Sequence, residues 1–163
     1  DSLTDAYTRR HMNEACQQEL ERSRRQGHVM ALLLMDLDYF KHINDTHGHQ
    51  QGDRVLVDFV TRVKALLRRH DQLGRFGGEE FVLLLPETPL DEALAVAERI
   101  RAMADQPRGT TRCSVSIGVT TNRLDTDTLD TLLARADSAL YRAKENGRNR
   151  VESSIASTPQ GAT

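Results

Sequence analysis

Val29-Met30-Ala31-Leu32-Leu33-Leu34-Met35-Asp36-Leu37-Asp38 sets an apolar run directly against two carboxylates. The run is apolar at odd and even positions alike and is of strand length, which predicts a strand buried on both faces at the centre of a sheet. After a polar stretch containing His47-Gly48-His49, a helix is predicted from Gln51 to Arg69. Its apolar stripe is Val55, Leu56, Phe59, Val60, Val63, Leu66 and Leu67. Leu73–Phe76 and Phe81–Leu85 read as strands joined by the hairpin signal Gly77-Gly78. Thr88 and Pro89 open the next helix, as N-cap and first-turn residue, with Leu90, Ala93, Leu94, Ala97 and Ile100 on its buried side. Cys113–Thr121 alternates like a half-buried strand. Upstream of the run, Met12, Cys16 and Leu20 recur at helical spacing between Asp5 and Gly27. Downstream, a helix over Thr128–Asn146 stops at Gly147, and Arg148–Glu152 adds a short edge strand. There is no internal repeat. The order β-α-β-β-α-β predicts an α+β fold with a ferredoxin-like core, carrying an added N-terminal helix, a further C-terminal helix and a short strand. Residues 1–152 are expected to form one domain, and the Ser/Thr/Pro/Gly-rich segment 153–163 a disordered tail.

Composition excludes several classes of function. The 163 residues carry 22 Lys+Arg against 24 Asp+Glu, so a basic field for binding duplex nucleic acid is absent. No apolar stretch reaches the roughly 20 residues of a membrane helix, and the opening Asp1-Ser2-Leu3-Thr4 contains no apolar leader. No direct membrane contact is therefore expected. Cys16 and Cys113 have neither CxxC nor zinc spacing, which points to a reducing, cytoplasmic compartment.

The predicted topology places the end of the first strand beside the hairpin of the next two. Asp36 and Asp38 lie at the first place and Glu79 and Glu80 at the second, so four carboxylates are expected on one edge. Such a cluster is tolerated when a cation neutralises it, and hard oxygen donors with room for water and phosphates favour Mg²⁺. Tyr39 to Lys41 opens a short helix whose free N–H groups suit a triphosphate. Gly77-Gly78 permits close approach of a phosphate. Either motif alone fits a plainer role, the punctuation of a strand or the turning of a hairpin. On a shared edge they point to a nucleoside-triphosphate site with metal-assisted phosphoryl chemistry. His47 and His49 lack a third ligand at zinc spacing.

Gly77-Gly78-Glu79-Glu80-Phe81 resembles the signature of the GGDEF family of diguanylate cyclases, in its GGEEF form. Met35-Asp36-Leu37-Asp38-Tyr39-Phe40-Lys41, Ile43-Asn44-Asp45, Gly48-His49, Gly52-Asp53, Ser116-Ile117-Gly118-Val119, Ala139-Leu140-Tyr141, Ala143-Lys144 and Gly147-Arg148-Asn149 carry the resemblance along almost the whole chain. Asp5-Ala6-Tyr7-Thr8 departs from the family's usual Gly-Leu-x-Asn. The resemblance implies a palm-type fold like that of nucleic-acid polymerases and class III nucleotidyl cyclases. It also implies condensation of two GTP into cyclic di-GMP, with release of two pyrophosphates, by a homodimer in which each subunit holds one GTP.

Residue roles follow by matched position. Asp36, Glu79 and Glu80 with the Leu37 carbonyl are implied to hold Mg²⁺, with Mn²⁺ as an alternative. Lys41 is implied to stabilise charge on the phosphates; Glu79 and a hydroxide on the metal both stay open as acceptor of the 3′-hydroxyl proton. Tyr39, Phe40, Gly78, Lys144 and Arg148 are implied phosphate contacts. Asn44, Asp53 and His49 are implied contacts of the guanine side, where a carboxylate can accept from the base N1–H and 2-amino group. Arg68-Arg69-His70-Asp71 matches the family's RxxD inhibitory motif, with Arg99 as a further contact for cyclic di-GMP as product inhibitor. The chain is expected to be a fragment of a longer signalling protein, itself membrane-tethered or not, whose sensory part lies upstream. Two rivals have other outcomes: a non-catalytic nucleotide receptor, and a cyclase of different base specificity.

Overall fold

The computed structural model describes residues 1–107, 109, 111–124 and 126–154. Along the chain it consists of α1 (Arg9–Gln26), β1 (Ala31–Leu37), α2 (Phe40–His47), α3 (His49–Lys64), β2 (Gln72–Arg75), β3 (Glu80–Leu85), α4 (Leu90–Asp105), β4 (Val115–Thr121), α5 (Leu129–Glu145) and β5 (Val151–Ser153). The strands form one sheet in the order β2-β3-β1-β4-β5. β1 is central and antiparallel to both β3 and β4, while β5 joins β4 in parallel. This is the expected α+β core.

Both faces of β1 are covered, which is why its sequence is apolar throughout. Ala31, Leu33, Met35 and Leu37 pack in one core with Phe59, Val60 and Val63 of α3 and Ala97 and Ile100 of α4. Leu32 packs on the other face with Val82, Leu84, Met12 and Leu20 of α1 and Leu132 of α5. Helix α5 lies close against the sheet at Gly118, where a Cβ would overlap the Ala136 carbonyl and the Leu140 amide.

Several boundaries differ from the sequence reading, each for a local reason. The first helix starts at Arg9, capped by the Thr8 hydroxyl, which accepts from the His11 amide at 3.2 Å. The residues before it lie along the sheet instead, the Tyr7 amide donating to the Leu73 carbonyl and the Arg75 amide to that of Tyr7. This pairing covers the edge of β2. Helix α3 spans His49–Lys64 rather than Gln51–Arg69, and Gly48 at φ 87° separates it from α2. Thr88 is not the cap of α4; its hydroxyl donates to the Pro86 carbonyl at 2.9 Å, and Pro89 holds the N-cap position. At the C-terminus, β5 includes Ser153, and buried Ser154 donates through its hydroxyl to Thr120 Oγ1 at 2.8 Å. The rest of the expected tail, 155–163, lies outside the described residues. Cys16 and Cys113 are both free. Among the described residues no helix is long and apolar enough to cross a membrane.

Gly118→Ala is expected to destabilise the domain by about 2–3 kcal/mol, since backbone rather than a flexible side chain fills the space. Urea unfolding with an unchanged m-value would measure it; an unaltered midpoint would contradict the packing described.

Candidate active site at the β1–β3 edge

The register of β1 on β3 pairs Ala31 with Leu85 and ends by pairing Asp36 with Glu80. The Leu37 amide then donates to the Glu79 carbonyl at 3.2 Å, so the strand end and the hairpin are stitched together. The hairpin loop is Gly77-Gly78-Glu79, closed by the Phe76 amide donating to the Glu80 carbonyl at 2.8 Å. Arg75 holds the loop from outside: its Nε donates to the carbonyls of Gly77 and Gly78, both at 3.1 Å, and Nη1 meets Asp1 at 3.2 Å. The hairpin expected at Gly77-Gly78 is present, and neither glycine has a positive φ. A Cβ on Gly78 would meet nothing within 4 Å. The chain itself does not require glycine there.

Asp36 is buried, and Lys144 of α5 donates to its Oδ2 at 2.6 Å. Glu80 is exposed, but its carboxyl is pushed above the usual range, first by partial burial and then by the charge of Asp36. Glu79 and Asp137 add to this, and Lys144 opposes it. The edge thus carries an excess of negative charge with one ammonium on it. The donors are all oxygen, which suits a hard cation, and Lys144 shows that a cation is stable there. Among the described residues no three or more His, Cys, Asp or Glu side chains are grouped so as to hold a metal ion by themselves.

Asp38 does not join this group, contrary to the expectation of four carboxylates. Its Oδ1 accepts from the Ser116 hydroxyl at 2.6 Å; its Oδ2 accepts from the Ser114 hydroxyl at 2.7 Å and the Asn149 amide at 3.0 Å. Sequence alone offered no sign of these partners, which lie in β4 and beyond α5.

Tyr39 begins α2 from a left-handed conformation, φ 55°, with its ring exposed. The Arg148 guanidinium lies 4.8 Å from the centre of that ring. Phe40 is buried, whereas Lys41 is exposed and makes no ion pair among the described residues. An open cavity of about 590 Å³ adjoins Tyr39, His42, Arg112, Arg148 and Asn149. At the α2–α3 corner, Asn44 is half-buried, and a Cβ on Gly52 would overlap its Oδ1. His49 and Asp53 are exposed on α3. The corner therefore brings Asn44 beside the Gly52-Asp53 pair.

Arg68 and Asp71 lie away from this edge. The Arg68 amide donates to Asp71 Oδ2 at 2.8 Å, and Arg68 Nη2 donates to Thr88 Oγ1 at 2.7 Å. Both residues line a cavity of about 520 Å³ with Arg22, His70 and Glu87. Arg99 is exposed on α4 and is not among the lining residues. Of the three residues expected to hold product, Arg68 and Asp71 share this cavity.

The family model for the diguanylate cyclase GGDEF domain matches residues 1–150. Diguanylate cyclase DgcM of Escherichia coli is 50% identical over 123 residues, which are 74% of this chain and 30% of that protein. Response regulator PleD of Caulobacter vibrioides is 41% identical over 158 residues, 93% of this chain and 35% of that protein. The chain thus spans about a third of the length of these curated relatives. Among solved structures, diguanylate cyclase SiaD of Pseudomonas aeruginosa, in complex with its activator SiaC, superposes with a TM-score of 0.88. It is 42% identical, and the match covers 94% of this chain and 60% of that one. The GGDEF domain of DgcB from Caulobacter crescentus, in complex with c-di-GMP, gives 0.89 at 28% identity, covering 96% and 93%.

Because Glu80 has a raised carboxyl pKa in the fold, its ionised form opposes folding when no metal is bound. The penalty is absent below the unfolded value near pH 4.3 and complete once pH exceeds the folded one. Glu80→Gln is therefore expected to raise the melting temperature in EDTA at pH 7 by about 1–2 °C and to give no gain near pH 4. A drop at pH 7 would contradict the excess of negative charge.

Proposed function

Since this chain belongs to the GGDEF family of diguanylate cyclases, we propose that it joins two GTP molecules into cyclic di-GMP, with loss of two pyrophosphates. The observation that carries the proposal is the placement of Asp36 opposite Glu80, with Lys144 on Asp36 and the glycine loop beside them. Two copies of the chain face each other, each holding one GTP. The 3′-hydroxyl of one attacks the α-phosphorus of the other; the bond to the β-phosphate oxygen breaks and pyrophosphate departs. Repetition in the opposite sense closes the ring.

Asp36, Glu79, Glu80 and the Leu37 carbonyl would hold Mg²⁺, or Mn²⁺ in its place, which supplies positive charge for the phosphates and for the attacking oxygen. Lys144 and Arg148 bind phosphate oxygens, and Lys144 can do so once Asp36 no longer needs it as counter-ion. The amides of Tyr39 and Phe40, at the start of α2, point their dipole at the same charge. Lys41 stabilises the charge that grows as pyrophosphate leaves. Gly78 lets the phosphates lie against the loop, because no Cβ intrudes. Asn44 and Asp53, with His49 nearby, read guanine; adenine lacks the N1–H and 2-amino donors and would leave Asp53 unpaired.

The same reading includes feedback. Cyclic di-GMP binds at Arg68 and Asp71, with Arg99 contributing from α4, and holds domains apart from the productive pairing. The 520 Å³ cavity at Arg68 and Asp71 supports the first part; Arg68 presents its guanidinium to a base edge.

Incubation of the protein with Mg²⁺ and either GTP or ATP tests the activity. Cyclic di-GMP is expected from GTP alone, with specific activity rising as the protein is concentrated, and Glu79→Ala is expected to lower turnover at least 100-fold (about 2.7 kcal/mol). Absence of product at high concentration would leave the domain as a receptor. For feedback, Arg68→Ala is expected to weaken cyclic di-GMP binding roughly tenfold or more and to relieve inhibition. Unchanged inhibition in that variant would remove the RxxD assignment.

A further inference from the structure

Asp38 stands between two residues of the proposed site, Leu37 and Tyr39, and is buried, its carboxylate accepting from three donors of the fold. Both oxygens are taken. Its main chain is engaged as well: the amide donates to the Ser114 carbonyl at 2.8 Å, and the Cys113 thiol points at its carbonyl at 3.6 Å. Three separate parts of the chain, the end of β1, the start of β4 and the loop after α5, therefore meet at this one side chain.

The loop is the part that needs a tether. Gly147, Arg148 and Asn149 have φ values of 120°, 63° and 47° in succession. A non-glycine pair in the left-handed region does not persist without external bonds. Those bonds are the Arg148 amide donating to the Ala143 carbonyl at 2.9 Å, the Asn149 amide donating to Asp38 Oδ2 at 3.0 Å and Arg101 Nη1 donating to Asn149 Oδ1 at 3.0 Å. The first closes the end of α5 on itself, whereas the second ties the main chain of the turn to the end of β1 through a carboxylate acceptor. Arg148 sits immediately before the tethered amide, and its guanidinium covers the Tyr39 ring, which follows Asp38. Asp38 thus holds both ends of the Tyr39–Arg148 contact.

We infer that Asp38 is a positioning residue, not a metal ligand: it fixes the Gly147–Asn149 turn so that Arg148 and the start of α2 face one phosphate chain. This rests on the reading of Arg148 as a phosphate contact. The contribution is to triphosphate binding and not to recognition of guanine, since Asn44, His49 and Asp53 share no hydrogen bond with Asp38 among the described residues.

The test uses 3′-deoxy-GTP, which cannot be condensed, and GMP, each titrated by calorimetry with Mg²⁺ and in EDTA. Asp38→Asn keeps the shape of the side chain but places an amide donor or a weaker neutral acceptor against Asn149 N–H. It is expected to bind 3′-deoxy-GTP roughly tenfold more weakly, with and without Mg²⁺, and GMP as before. Arg148→Ala is expected to do the same, and the double variant to be no weaker than the weaker single. If Arg148→Ala binds weakly and Asp38→Asn binds normally, or if the two losses multiply, the positioning role is wrong while the phosphate contact stands. If Arg148→Ala binds normally, the phosphate reading itself fails and takes the inference with it. An equal loss for GMP makes Asp38 merely structural, and a loss seen only with Mg²⁺ makes it a metal ligand; both overturn the inference. Should Asp38→Asn not fold, Ser114→Ala removes one donor from the same oxygen. A roughly threefold loss confined to 3′-deoxy-GTP is expected; none overturns the inference.

Discussion

Asp36 and Glu80 face one another because β1 and β3 pair antiparallel in a register set by side chains with no chemical role. Leu32, Leu33 and Met35 on one strand and Phe81 to Leu84 on the other are buried, on both sheet faces, and Leu34 is half-buried. A slip of β1 by one residue would exchange its two faces, sending Leu33 to the α1–α5 side and Leu32 to the α3–α4 side. The two sides are filled by different helices, so that slip is strongly disfavoured. The position of the carboxylates is thus inherited from packing, and the edge can carry repelling charges without itself supplying stability.

That division explains which parts of the molecule were legible before any coordinates. The apolar run 29–35 and the stripe of α3 report burial, and burial decides architecture; β1 and α3 lie where those patterns imply, although Leu66 and Leu67 fall past the end of α3, and β4, whose alternation implies a half-buried strand, is buried on both faces from Val115 to Thr120. The meeting of Asp36 with the GGEEF hairpin follows from topology, so it too could be reasoned from strand order. Short-range polar choices were not legible. Thr88 has the chemistry of a cap, but Arg68 and the Pro86 carbonyl claim its hydroxyl. Asp38 has the spacing of a ligand, but its partners lie more than seventy residues downstream. Nothing local distinguishes a carboxylate aimed at solvent from one aimed at two serines. Asp5 likewise sits in an apparently helical segment, yet Tyr7 is drawn to the edge of β2.

The contact between Tyr39 and Arg148 illustrates how strain is located by polar bonds. Tyr39 and Arg148 each occupy a left-handed conformation that costs a residue with a Cβ about 1–2 kcal/mol. A hydrogen bond to a charged group contributes roughly 1.5–3 kcal/mol, so the set of bonds on Asp38 is large enough to hold both. The stacked guanidinium adds to this modestly, being partly solvated. Strain and tether occur at the same few residues, while the helices on either side are regular.

Lys144 connects these two regions electrostatically. It is the nearest positive charge to Asp36, and it also lowers the cost of ionising Glu80. A buried carboxylate without a hydrogen-bond partner is costly; Lys144 supplies one to Asp36. The ammonium reaches the edge from α5, close to the turn that carries Arg148, so the counter-ion and the guanidinium come from one short stretch of chain. Charge balance at the acidic edge and the contact with Tyr39 are therefore both set by the end of one helix.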